Sequence, residues 1–141
     1  MDHVVYVNAK TKELEKLLEG KKTMIIRGAA GRKLPHGRVS KGDTLYFTRN
    51  NAEGVVRARG VVCSVFSSEK LSEDESRSLV DDNQDKLQLE PSELQRWAGK
   101  RFLVLISIED VREVTPFQVD KSKFGNMDDW LPVENIDQYR I

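Results

Sequence analysis

Apolar residues recur along this chain with two periods, and the switches between them mark its elements. Val4, Val5, Tyr6 and Val7 make a β-branched and aromatic run over residues 3–7, which ends in the turn chemistry of Asn8-Ala9-Lys10. Leu14, Leu17 and Leu18 then repeat at helical spacing, with Thr11 placed to cap the helix and Gly20 to end it. Strand pattern returns over 23–27 and is broken by Gly28-Ala29-Ala30-Gly31, after which residues 32–38 hold too much glycine and proline for regular structure. In the next strand Leu45 and Phe47 share one face while Tyr46 and Thr48 share the other. Residues 50–54 read as a hairpin loop that returns the chain as a long strand over 55–66, where Gly60 predicts a bulge or a bend.

Ser72 with Glu75 is a capping-box pattern for a helix reaching about Val80, followed by a polar loop over 81–86. Pro91 suits a helical first turn, Leu94 and Trp97 give that helix an apolar side, and Gly99 ends it. Within 101–114, Phe102 to Ile106 is apolar on both faces, the mark of a central strand covered on both sides. The tail over 116–141 holds Phe117, Phe124, Trp130, Leu131, Val133, Ile136 and Tyr139 among turn residues such as Gly125-Asn126. So apolar a tail is expected to wrap back over the sheet, with a late short strand. Strands at this density, interrupted by short helices rather than alternating with them, predict an α+β fold in which a curved sheet closes into a small barrel with short flanking helices. No repeat or linker divides the 141 residues, so a single domain over 1–141 is expected.

Charge changes this picture through its distribution. Lys+Arg and Asp+Glu balance at 23 each, so net charge selects no partner. Between residues 21 and 59, however, Lys22, Arg27, Arg32, Lys33, Arg38, Lys41, Arg49 and Arg57 face only Asp43 and Glu53, whereas residues 69–93 are rich in Asp and Glu. Such polarity aims a positive surface at an anion. No apolar run approaches the ~18–20 residues of a membrane span, and the N-terminus carries Asp2 where a secretory leader has positive charge. The expectation is a cytoplasmic monomer that does not engage a membrane. Cys63 is alone, and His3 and His36 have no ligand-spaced partners, so no disulfide, metal or cofactor is expected. The glycines before His36 are not followed by a G-K-[ST] phosphate loop.

Gly20-Lys21-Lys22-Thr23-Met24-Ile25-Ile26-Arg27 resembles the G-x-K-x-x-E-x-R signature of the ASCH domain family in the PUA-like barrel superfamily. The context is similar too: an amphipathic helix precedes it, and Lys41-Gly42-Asp43 with the apolar strand after it and the later helix and strand up to Ile108 are in place, so the resemblance spans about 14–115. Gly31 to Arg38 repeats the glycine, lysine and arginine spacing but has no leading helix, and Pro35 and Gly37 prevent the strand that should follow.

The resemblance implies a barrel with helices beside it and a positive cleft that takes RNA or a nucleotide-like ligand. Gly20, Lys22 and Arg27 match the signature; Ile25 stands where the family has a carboxylate or, in small members that are amidohydrolases acting on N4-acetylcytidine, a catalytic threonine. Binding is therefore expected over catalysis. The binding residues singled out are Lys22, Thr23, Arg27, Arg32, Lys33, Arg38, Arg49 and Asn50, with Trp130 as a stacking platform and RNA or another nucleic acid as partner. The alternative is a hydrolase of a modified nucleoside or an RNA phosphodiester using Lys22, with Thr23 or His36 and a carboxylate contributed by another strand.

Overall fold

A computed structural model describes residues 1–120, 122 and 129–141. Its strands are β1 (Asp2–Val7), β2 (Met24–Ala29), β3 (Thr44–Arg49), β4 (Val55–Ser67), β5 (Phe102–Gln118) and β6 (Trp130–Glu134), and its helices are α1 (Glu13–Leu18), α2 (Glu73–Asp82), α3 (Gln84–Leu87) and α4 (Pro91–Trp97). The strands form one sheet in the order β2-β5-β4-β3-β1-β6. Every ladder is antiparallel except β1 with β3. The small curved barrel expected from the sequence takes the form of a curled half-barrel with β2 and β6 at its edges. Pro132, which has no N–H to give a ladder, sits in edge strand β6 opposite His3.

The curl has a local origin. Along the β4–β5 ladder the register shifts three times, once between Arg59 and Val61, where the sequence predicts a bulge. A Cβ at Gly60 would lie 3.2 Å from Val111 Cγ2 and 3.3 Å from Phe47 Cε2, so the bend is built where only glycine fits easily.

Alternation explains the core. Ile25 faces the concave side with Val5, Leu14, Leu17, Phe47 and Ile106, while its neighbours Met24 and Ile26 face α2, α3 and α4 with Val80, Leu87 and Trp97. Strand β5 alternates in the same way, Val104 and Ile106 inward, Leu103 and Leu105 toward the helices, which is why that run is apolar on both faces. A third cluster gathers Val4, Tyr46, Val119, Leu131 and Ile136.

Some boundaries move for identifiable reasons. Thr11 does not cap α1: the Asn8 side chain takes the Lys10 and Thr11 N–H groups, and Lys12, with φ 56°, becomes the residue before the helix. Strand β2 continues through Gly28 to Ala29, paired with Leu103 and Phe102 of β5, and the absence of a side chain at Gly28 permits this approach, since a Cβ there would meet Leu103 Cδ2 at 2.8 Å. In place of the polar loop over 81–86, α2 runs to Asp82 and α3 follows, drawn in by fully buried Leu87. Cys63 is half-buried.

After β5 the chain returns as β6 against β1, and a 3-10 helix over Ile136–Tyr139 is tied down by the Ile136 N–H donating to the Asp2 carboxylate at 2.8 Å. Phe124 and Gly125-Asn126 lie outside the described residues. No helix among the described residues is long and apolar enough to cross a membrane.

Candidate functional site

Gly20, at φ 76°, ends α1 and turns the chain toward β2. The two residues that follow Lys21 then diverge. Thr23 is exposed and spends its N–H on Lys86 O. Lys22 is only 2% exposed: its Nζ donates to Leu87 O at 2.6 Å and lies 3.3 Å from Glu13 Oε2. Glu13 Oε1 in turn accepts the Asn8 N–H at 2.8 Å. Burial pushes the Lys22 ammonium below the usual lysine value, and the nearby Glu13 and Glu93 charges offset this only in part. Lys22 is thus a strut between α1, β2 and the end of α3, placed behind the surface rather than on it.

Arg27, two residues beyond Ile25 on the same face of β2, reaches the mouth of the half-barrel. Its Nη1 donates to Ile26 O at 2.8 Å and its Nη2 to Tyr6 O at 2.7 Å. The guanidinium carbon lies 5.8 Å from the Trp97 ring centroid and 5.7 Å from that of Trp130. Its buried Nε has no partner. Burial lowers the Arg27 pKa, against the opposing pull of Glu13 and Asp129.

Trp130 is positioned by a buried relay. Its Nε1–H donates to His3 Nδ1 at 3.1 Å, and His3 Nε2 is 2.8 Å from Asp43 Oδ2. Because an indole nitrogen can only donate, His3 Nδ1 must be unprotonated, so the ring is the neutral tautomer with its proton on Nε2, given to Asp43. Burial holds the His3 pKa below its usual value, although Asp43 opposes the shift. Burial alone would raise the Asp43 carboxyl, but hydrogen bonds from His3 and the Ser40 N–H outweigh it and leave the carboxyl low.

A base with a lowered folded pKa binds its proton first in the unfolded chain, so stability falls as pH drops below about 6.5 toward the folded value. The melting temperature is expected to fall between about pH 7 and pH 5, and His3→Gln to remove most of that slope. An unchanged slope in the variant would assign the effect to other groups.

Two cavities flank Arg27. The first, about 280 Å³, is walled by Trp97 and Trp130 and, among the described residues, carries Arg27, Lys33, Arg96 and Lys100 against a single carboxylate, Asp129. The second, about 260 Å³, adds Tyr6, Thr11, Glu13, Asn50 and Glu93. Both are lined by Arg27, Arg96, Trp97 and Asp129, so they are two lobes of one cleft. Arg96 sits over the Trp97 ring at 4.3 Å and pairs with Asp129 at 3.0 Å, both side chains about half exposed.

Of the residues singled out from the sequence, Arg27, Lys33, Asn50 and Trp130 line this cleft. Arg32 pairs with Glu69 at 3.0 Å and covers the Phe102 ring, and His36 bonds Ser68 O at 2.8 Å with its edge on that same ring, so this part of the basic loop braces itself on β5. Arg38 is exposed. Arg49 pairs with Glu15 on α1, and Asn50 Oδ1 accepts the Ala9 N–H. No hydrogen bond or ion pair joins Lys22, Thr23 and His36. The titratable group beside Lys22 is instead Glu13, from a helix. Sequence reasoning about the basic half passed over Arg96, Lys100, Glu13 and Glu93; the only available signal was that Arg96 and Lys100 bracket Trp97. No group of three or more metal-ligating residues forms among the described residues.

No family model matches the sequence, and no curated protein matches it. By structure the chain is similar to an ASCH protein from Zymomonas mobilis, with a TM-score of 0.70 at 12% identity over 97% of this chain and 91% of that chain. A variant of that protein with a tyrosine replaced by phenylalanine gives a TM-score of 0.71 at 11% identity, over 97% and 93%. A serine-to-alanine variant gives 0.65 at 12%, over 90% and 82%. The half-barrel with its four short helices therefore has the ASCH-type, PUA-like α+β fold, a likeness of shape at low identity.

Proposed function

We propose that this chain, with its ASCH-type fold, is a nucleic-acid-binding module that takes RNA, or a nucleotide-like ligand, in the cleft running past Arg27, and that it works as a cytoplasmic monomer. One observation carries the reading: the two tryptophans and four cations, Arg27, Lys33, Arg96 and Lys100, surround one cavity in which the single carboxylate among the described residues, Asp129, is already paired with Arg96. Aromatic walls suit a base or ribose, and a cluster of cations suits phosphate. Lys22 serves this site indirectly by fixing Glu13.

Binding is favoured over hydrolysis because Ile25 is wholly buried in the core, leaving no carboxylate or hydroxyl at that motif position. The hydrolase reading retains one supporting contact, Lys22 beside Glu13, but Nζ is committed to a backbone carbonyl and an ion pair.

Phosphate contacts release counterions, so binding to a short single-stranded RNA weakens with salt, with a log–log slope of about −0.7 per neutralised phosphate. Replacing Lys33, Arg96 and Lys100 together by Gln is expected to flatten that slope by about 2 and to weaken binding at low salt. A triple variant with the parent's slope would remove the cleft from consideration.

A further inference from the structure

We propose that the second lobe of the cleft reads the Watson–Crick edge of a guanine base, while the first lobe holds the attached sugar and phosphate. The inference rests on the nucleotide-binding reading above and deepens it.

Two buried polar groups in this lobe lack partners. Thr11 is 6% exposed and its Oγ1 is unpaired; Arg27 is 8% exposed and its Nε is unpaired. Both residues line the second cavity. An orphaned buried donor is costly, and both atoms are closed to solvent beside one empty volume, so a small outward shift of the two side chains lets a ligand acceptor satisfy them. Opposite in character are two carboxylates, Glu13 and Glu93, each 6% exposed and on the same cavity. Glu13 is fully engaged, with one oxygen on the Asn8 N–H and the other by Lys22 Nζ. Glu93 Oε1 accepts the Glu90 N–H at 3.1 Å in a capping box, and among the described residues no hydrogen bond reaches its Oε2.

The lobe therefore presents a fixed carboxylate with acceptor capacity next to donors that need an acceptor. Guanine offers the complement: N1–H and the exocyclic N2 amino group are adjacent donors, matched by one carboxylate, and O6 beside them is an acceptor for Arg27 Nε–H or the Thr11 hydroxyl. Uracil has a single ring N–H between two carbonyls. Cytosine and adenine each place a ring-nitrogen acceptor beside the amino group, which would face the carboxylate with a lone pair. Sites built on buried hydrogen bonds reject the mismatched partner because their own groups are then left unpaired.

The test is titration of the folded protein with GMP, CMP, UMP and AMP by calorimetry at low salt, with Glu93→Gln and Thr11→Val as variants. Gln retains the capping box, so α4 is preserved while one acceptor oxygen becomes an amide donor. GMP is expected to bind at least about tenfold more tightly than the others. Glu93→Gln should weaken GMP at least about tenfold and so abolish its preference over UMP, and Thr11→Val should weaken GMP selectively. Equal affinities for all four nucleotides, or a Glu93→Gln variant that weakens all four alike, would overturn guanine reading and leave nucleotide binding in the cleft standing. RNA binding without measurable affinity for any monophosphate also overturns it. Absence of binding to the nucleotides and to RNA together would overturn the underlying reading as well.

Discussion

Glu13→Ala is expected to cost the fold about 3–5 kcal/mol, the usual penalty for removing one member of a buried ion pair. The Lys22 and Glu13 side chains are 1% and 7% exposed, so deleting the carboxylate strands an ammonium with only Leu87 O and the more distant Glu93 charge beside it. It also removes the acceptor for the Asn8 N–H at the start of α1. Against a total stability of about 5–15 kcal/mol, that is a large share, read directly as a lower urea midpoint with an unchanged denaturant slope. Lys22→Met together with Glu13→Gln should recover much of the loss, because no unpaired charge then remains. A Glu13→Ala loss below about 1 kcal/mol would place the pair in the screened, surface class instead.

Ile25→Glu, which would install the carboxylate of the family signature, is expected to unfold the protein or to cost more than about 3 kcal/mol rather than to create an active site. Ile25 has no exposed surface and packs among Val5, Leu14, Leu17 and Ile106. A carboxylate there must stay neutral or drag water inward, and either outcome loses the apolar burial of the isoleucine. Ile25→Val, which removes one methylene, should cost about 0.5–1.5 kcal/mol. An Ile25→Glu variant of parental stability would show that the pocket around position 25 is wetter than its packing indicates.

The sequence carried the frame of this fold more clearly than its cleft, for physical reasons. Gly20, the leucines of α1 and the doubly apolar run in β5 are local signals, and each is set by a period or a backbone requirement that a few residues express. Gly60 likewise marked its bulge. Charge, by contrast, does not reveal burial. Lys22 looks like a surface lysine following a helix end, yet Glu13, carried by the same helix, draws it inside. Arg32 and Arg49 belong to the basic half of the chain but are neutralised by Glu69 and Glu15 from distant segments. Arg96 and Lys100 lie beyond the acidic stretch and meet Arg27 only because α4 packs on β2. The Asp129 carboxylate and the His3 relay to Trp130 arise from β6 returning beside β1, a pairing no local pattern announces.

The central claim, that the cleft at Arg27 takes nucleic acid, has a direct optical test, since Trp97 and Trp130 are the only tryptophans in the chain and both wall the first cavity. Intrinsic fluorescence should be followed while a short single-stranded RNA is added at low salt, alongside anisotropy of the labelled RNA. The account predicts a saturable change in tryptophan emission that tracks the anisotropy curve and reverses when salt is raised. RNA binding seen by anisotropy with unaltered tryptophan emission would contradict it, because the ligand would then be held away from this cleft.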